Sequence, residues 1–157
     1  MANRSAGILI YRKANGLVEV LLVHPGGPFW KNKNFNAWSI PKGLVEEGEK
    51  ELEGAIREFT EETGFNVEGE DFIELHEAKQ TSGKVIKVWA KEGDYDTDKV
   101  KSNTFKMEWP PKSGKLQEFP EVDKAEWYEV EYAKTKIVRG QISILDQLVY
   151  ELEERQN

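Results

Sequence analysis

The chain has 157 residues, 38% hydrophobic and 32% charged, enough for one domain that buries most of the surface its unfolded form exposes. No stretch approaches the roughly 20 apolar residues of a membrane span, the start MANRSAGILIYRK holds too short an apolar run for a signal peptide, and the absence of cysteine excludes disulfides, thiolate metal sites and cysteine nucleophiles. The absence of cysteine fits a reducing cytoplasm, and a net charge of -7 argues against nonspecific binding to nucleic acid, whose phosphates are held by basic patches, without excluding a small anionic substrate bound through a metal and a few local lysines.

Ser5 to Arg12 (SAGILIYR) and Leu17 to His24 (LVEVLLVH) are β-rich apolar runs separated by KANG, which predicts a hairpin turning at Asn15 and Gly16. PGGPFWKNKNFNAWSIPKG follows, an irregular loop rich in glycine, proline and aromatics that leads into a short strand at Ala37 to Ile40. Phe29, Trp30 and Trp38 flank the glycine-rich part and offer flat apolar surface on which a base would stack, although most aromatics are core. Lys42 either meets a phosphate or is a surface lysine.

From Glu51 to Thr63 the pattern predicts a helix. Leu52, Ala55, Ile56 and Phe59 recur at i, i+3, i+4 and i+7, one apolar stripe facing a core, and Gly64 supplies the stop. At about 100° per residue, Glu58, Glu61 and Glu62 gather on a second stripe. Like charges at this spacing cost a few tenths of a kcal/mol per pair even when solvated, so a cation is expected to offset them. A hard divalent ion such as magnesium suits carboxylates that share a site with substrate phosphates; a solvated acidic face is the bland alternative. Gly54 sits inside the helix at a cost of about 1 kcal/mol relative to alanine. It either leaves room for phosphate or metal or is simply tolerated.

Phe72 to Lys79 (FIELHEAK) and Lys84 to Ala90 (KVIKVWA) read as strands joined by QTSG, with Gly83 at the turn. KEGDYDTDKVKSN is an exposed connection, Thr104 to Trp109 a strand, and Pro110 to Asp123 (PPKSGKLQEFPEVD) a long loop of the kind that often binds ligands. Glu126 to Val130 is a last short strand, Tyr132 to Arg139 a short helix ended by Gly140, and Ile142, Leu145, Leu148, Val149 and Leu152 mark a C-terminal helix. His24 and His76 lack metal-ligand spacing and read as structural. With no repeat and no visible boundary, residues 1–157 are expected to form one α/β domain, a mixed sheet covered on both faces.

Read as a string, Gly43, Glu49 and the run from Arg57 to Phe65 (REFTEETGF) resemble the signature of the Nudix hydrolases without a mismatch. A pattern that sets eight or nine positions in a loop-helix-turn context is far more specific than a lone glycine motif. PGGPFW, WSIPKG, EWPPKSG and EFPEVD extend the likeness to a bacterial subgroup of predicted nucleoside triphosphate pyrophosphohydrolases. The resemblance implies a Nudix α/β/α sandwich around a mixed β-sheet. It also implies a magnesium-dependent pyrophosphohydrolase, with manganese as an alternative ion, that cleaves a nucleoside diphosphate linked to another moiety.

Carried over by position, Glu58, Glu61 and Glu62 would ligate the metal with the Gly43 carbonyl, and Arg57 and Glu49 would orient them. Glu58, or Glu118 or Glu121 on the later loop, would be the general base. A nucleoside triphosphate and a dinucleoside polyphosphate both suit as small-molecule substrates, and a homodimer is compatible with the family. The rival readings are a nucleotide-binding regulatory module without turnover, an isomerase of isoprenoid diphosphates, and an RNA-decapping enzyme, the last opposed by the acidic charge.

Overall fold

Ile8, Leu9, Ile10 and Tyr11 are all buried, and so are Val20, Leu21, Leu22 and Val23. Neither run alternates, because each strand lies between two cores, as strands do in a sheet covered on both faces. The computed structural model describes residues 4–80 and 82–156. β1 (Arg4–Ala14) and β2 (Leu17–Pro25) form the expected hairpin, closed by Asn15 at φ 54° and Gly16 at φ 81°, consecutive left-handed residues whose twist matches the flanking strands.

The main sheet is mixed. β1 runs parallel to β6 (Val85–Glu92), while β4 (Ile73–Glu74) and β5 (Ala78–Lys79) pair antiparallel with β6. On its other edge β1 changes partner: Tyr11 to Ala14 pair with β2, and Ser5 to Gly7 with β3 (Lys42–Leu44). Along its other edge β2 pairs with β9 (Val122–Glu129) from Glu19 to Pro25. β2 and β3 therefore splay apart, and residues 37–41 run between them. Val23 and Ser39 exchange backbone hydrogen bonds of 2.9 Å, and the Ile8 N–H donates to the Pro41 carbonyl at 3.2 Å.

On one face Ala6, Ile8, Ile10, Leu21 and Val23 pack with Ala55 and Phe59 of α1 (Glu51–Thr63). On the other Leu9, Leu22, Trp38 and Ile40 pack with Ala133 of α2 (Val130–Lys136) and Ile144, Leu145 and Leu148 of α3 (Ile142–Arg155). Full burial of a side chain this size contributes about 1.5–3 kcal/mol. Among the described residues no helix is long and apolar enough to cross a membrane.

Several local expectations change. Ala37 to Ile40 is not a strand but two isolated bridges, Val23 with Ser39 and Trp38 with Ile137, because its neighbours come from different elements. The strand expected at Phe72 to Lys79 splits into β4 and β5, with His76 and Glu77 turned to solvent; Thr81 of the expected QTSG turn lies outside the described residues. The connection after β6 is not wholly exposed, since Tyr95 and Val100 pack onto the α1-side core.

The loop expected at Pro110 to Asp123 contains β8 (Leu116–Pro120), which pairs with β7 (Thr104–Glu108) in a separate two-stranded ribbon, and β9 starts at Val122. Every residue of β8 but Phe119 is exposed, so no burial pattern announces it. The short helix begins and ends earlier than expected: Ile137 is extended where it bridges Trp38, and Gly140 falls in a 3-10 turn, Arg139–Gln141.

Candidate functional site

α1 carries the acidic residues and its ends are set by backbone chemistry. Gly64 stops it in the left-handed conformation at φ 78°, its N–H donating to the Thr60 carbonyl at 2.7 Å, a backbone geometry that costs glycine little. With Ala55 and Phe59 buried against the sheet, the acidic stripe faces β3. The Lys42 N–H donates to Glu62 Oε1 at 3.1 Å, and a Cβ on Gly43 would fall within the space of the Glu58 carboxylate.

Arg57 is the hub of the carboxylates. Its Nε and Nη2 donate to the two oxygens of Glu49 at 2.8 and 3.0 Å, and Nη1 reaches Glu58 at 2.8 Å and Glu61 at 3.1 Å. Nη2 also donates to the Leu44 carbonyl at 3.0 Å, which ties the cluster to the end of β3. Arg57 thus offsets part of the negative charge of Glu58 and Glu61 from within the chain. The guanidinium fork, helped by the Glu46 N–H, holds the Glu49 carboxyl down at about 2, and Glu49 in turn raises the Arg57 guanidinium. Gly54 leaves room for this arrangement rather than for phosphate or metal: a Cβ there would stand 2.9 Å from Glu49 Oε1.

Glu62 is the opposite case. Burial pushes its carboxyl up to about 7, with the Glu58 and Glu121 charges adding and Lys42 opposing. Burial likewise pushes Glu58 up against the pull of Arg57. Among the described residues no three acidic or histidine side chains converge into a ready-made metal cage, since Glu58 and Glu61 turn to Arg57 and Glu62 to the Lys42 N–H. In chemistry, however, the donors fit a hard divalent ion: all are oxygens, and burial leaves two of them short of positive charge.

Glu121 reaches this region through the backbone. Its N–H donates to the Asn103 carbonyl at 2.8 Å, the Asn103 N–H donates to the backbone carbonyl of Glu61 in α1, also at 2.8 Å, and the Glu121 carbonyl accepts from the Gly26 N–H at 2.9 Å. A register shift in the β2–β9 pairing follows, Pro25 facing Val122 and His24 facing Lys124. The skipped Asp123 accepts a 2.9 Å hydrogen bond from His24 Nδ1. Both residues belong to a structural support, as expected for His24.

A cavity of about 790 Å³ opens at the split between β2 and β3, lined by Trp30, Phe35, Lys42, Glu62, Glu121 and Arg139 among others. The structure therefore brings Lys42, Glu62, Glu121 and Trp30 together, with Glu49, Glu58 and Glu61 gathered on Arg57. Phe29 is 61% exposed and stands edge-on to Trp30, with Lys33 Nζ 4.0 Å over its ring.

Two expected residues fall elsewhere. Trp38 is 1% exposed, packed edge-on to His24 and Tyr128, and serves the core rather than a ligand. Glu118 accepts from the Thr104 hydroxyl on the ribbon and does not line the cavity.

Sequence reasoning missed Gln141 and Arg139. Gln141 is fully buried and accepts from the Ile40 N–H at 2.9 Å, pinning the segment that enters β3; a glutamine directly before an apolar helical stripe was its only cue. Arg139 lines the cavity without a carboxylate partner among the described residues, and nothing in the local sequence marks it.

The NUDIX domain family matches residues 1–148. Nudix hydrolase 7 of Arabidopsis thaliana is 32% identical over 117 residues, which cover 68% of this chain and 38% of that protein. The asymmetrical bis(5'-nucleosyl)-tetraphosphatase of Caenorhabditis elegans is 38% identical over 95 residues, 57% of this chain and 64% of that one. The chain thus spans less than two thirds of the length of each. In three dimensions it is similar to a crystal structure of a C. elegans Ap4A hydrolase binary complex, with a TM-score of 0.65 and 26% identity over 96% of this chain and 98% of that one. With the family matched over nearly the whole chain and the signature residues gathered between α1 and β3, the protein is a member of the Nudix hydrolase family.

Proposed function

We propose that the protein is a divalent-cation-dependent pyrophosphohydrolase acting on a nucleoside diphosphate linked to another moiety. The observation that carries this reading is the meeting of Glu62, Glu121 and Lys42 in one nucleotide-sized cavity beside the carboxylates held by Arg57. Relatives named as hydrolases of dinucleoside tetraphosphates and as RNA pyrophosphohydrolases support the reaction class.

In this reading Glu58, Glu62 and the Gly43 carbonyl hold the cation, magnesium by preference, with Glu61 as a further ligand. When bound, the ion neutralises phosphate oxygens and polarises the scissile bond. The chain's own residues do the remainder. Arg57 and Glu49 keep the carboxylates oriented, and Lys42 and Arg139 take phosphate oxygens. A water oxygen bonds to phosphorus as the bridging phosphorus–oxygen bond breaks, and the water's proton passes to Glu121, the later glutamate that lines the cavity.

The test is product release across nucleoside triphosphates, dinucleoside polyphosphates and nucleotide sugars with magnesium, comparing the native chain with Glu58→Gln and Glu62→Gln. Cleavage by the native chain that either substitution abolishes supports the reading. A native chain that cleaves nothing, or variants of equal rate, overturns it. A nucleotide-binding module without turnover is the second reading, favoured by the capture of Glu58 and Glu61 by Arg57; binding without cleavage in the same experiment would establish it.

A further inference from the structure

The β7–β8 ribbon stands apart from the main sheet. Two strands alone are marginal in water, so one face of the ribbon needs cover. Along β7 the half-buried residues are Phe105 and Met107, and the exposed ones are Thr104, Lys106 and Glu108. Phe119 of β8 lies opposite Phe105, its ring 6.0 Å away.

The loop after β2 approaches this ribbon through two glycines. A side chain at Gly26 would overlap the Pro120 carbonyl oxygen, and one at Gly27, at φ 95°, would stand 3.0 Å from the Phe105 ring. Between ribbon and loop lies a hollow of about 460 Å³, lined by Phe105 and Met107 from the ribbon and by Phe29 and Trp30 from the loop. Glu62, Glu121, Trp30 and Pro25 line both this hollow and the larger cavity, so the two meet at the carboxylates.

We propose that this hollow is the base-binding slot: the nucleobase of the substrate sits between Phe105 and Met107 of the ribbon and Phe29 and Trp30 of the loop. The phosphate chain then passes Glu62 and Glu121 into the larger cavity. The proposal rests on the nucleotide-hydrolase reading above and names where that substrate's base is recognised. The division of chemistry between the two hollows supports it. The slot has no lysine or arginine in its lining, whereas Lys42 and Arg139 line the larger cavity. Phosphates follow the cations, and a flat π surface follows rings and a thioether. The volume lies within the roughly 300–1,000 Å³ of small-molecule sites.

The experiment compares two nonhydrolysable probes by calorimetry with magnesium present, α,β-methylene ADP and methylenediphosphonate, which carries no base. Met107→Ala and Phe105→Leu are expected to weaken the nucleotide probe about tenfold, the scale of a lost stacking contact, and to leave methylenediphosphonate unchanged. Lys106→Ala, on the outward face, changes neither. Because the chain has only two methionines, the Met107 methyl resonance is readily assigned, and the nucleotide probe is expected to shift it upfield while methylenediphosphonate does not. Equal weakening of both probes by the slot variants, or no weakening with an unmoved methyl, overturns the slot. A native chain that binds neither probe overturns the hydrolase reading itself, so the two failures are distinct.

Discussion

Gly43 and Glu58 occupy what is in effect one space: a Cβ on residue 43 would stand 2.6 Å from Glu58 Oε2 and overlap Oε1. β3 pins Gly43 opposite Ala6 in the sheet, and the helix pins Glu58 above it. Gly43→Ala therefore displaces the carboxylate, whose flexible end can move without unfolding anything. The expected outcome is a loss of hydrolysis of about 100-fold, the scale of an ångström-sized misplacement, with nearly unchanged thermal stability. Steady-state kinetics beside a melting curve checks it; full activity in the alanine variant would remove Glu58 from the site.

Arg57→Lys keeps the charge and loses the fork. A lysine cannot donate to both oxygens of Glu49 while also reaching Glu58 and Glu61. Orienting contacts of this kind are worth about 10- to 100-fold in activity or metal affinity, and a drop of that size is expected in both. Magnesium titration followed by kinetics measures each, and a lysine variant with native values would reduce the network to surface charge pairing.

Glu62 sets a pH dependence. Its carboxyl rises from 4.5 to about 7 in the folded protein, so between those values the folded chain holds a proton that the unfolded chain has released. Stability from this group is full at low pH and is lost as pH rises toward 7, by about 3 kcal/mol at most. Glu62→Gln, which still accepts from the Lys42 N–H, is expected to raise the melting temperature of metal-free protein at pH 8 and leave it unchanged at pH 5. Divalent-cation affinity of the native chain falls as pH drops through about 7. Melting curves at the two pH values decide; equal shifts at both would show that Glu62 is not held protonated.

Gly64→Ala tests the helix end. Alanine at φ 78° carries the left-handed penalty, and its Cβ would stand 2.7 Å from the Lys101 carbonyl oxygen, a backbone atom that cannot swing aside. A loss of about 2 kcal/mol or more is expected. Urea denaturation measures it, and a loss below about 0.5 kcal/mol, within the range of ordinary surface substitutions, would mean that the chain near Lys101 yields.

Arg139→Ala is expected to raise KM about tenfold, the scale of one charged hydrogen bond, with kcat held. The residue makes no ion pair with a carboxylate among the described residues and lines the cavity with Lys42. Raised salt should narrow the difference between native and variant chains. A fall in kcat at constant KM would instead give Arg139 a part in the chemistry.

Local pattern was enough for much of this protein. The hairpin around Asn15 and Gly16, the bounds of α1, its stop at Gly64 and the mixed sheet between helices all follow from periodicity and turn chemistry, which act over a few residues. The acidic stripe and the arginine beside it are likewise determined by helical spacing. What the folded chain decided depends on contacts between distant segments. Trp38 joined the core because α2 and α3 close over it, and Gln141 found Ile40 across the chain. Phe105 and Met107 share a hollow with Phe29 and Trp30 because Gly26 lets the loop approach the Pro120 backbone and Gly27 leaves space for the Phe105 ring. Which residues surround a cavity is a property of strands that part company, and no run of neighbouring letters carries that information.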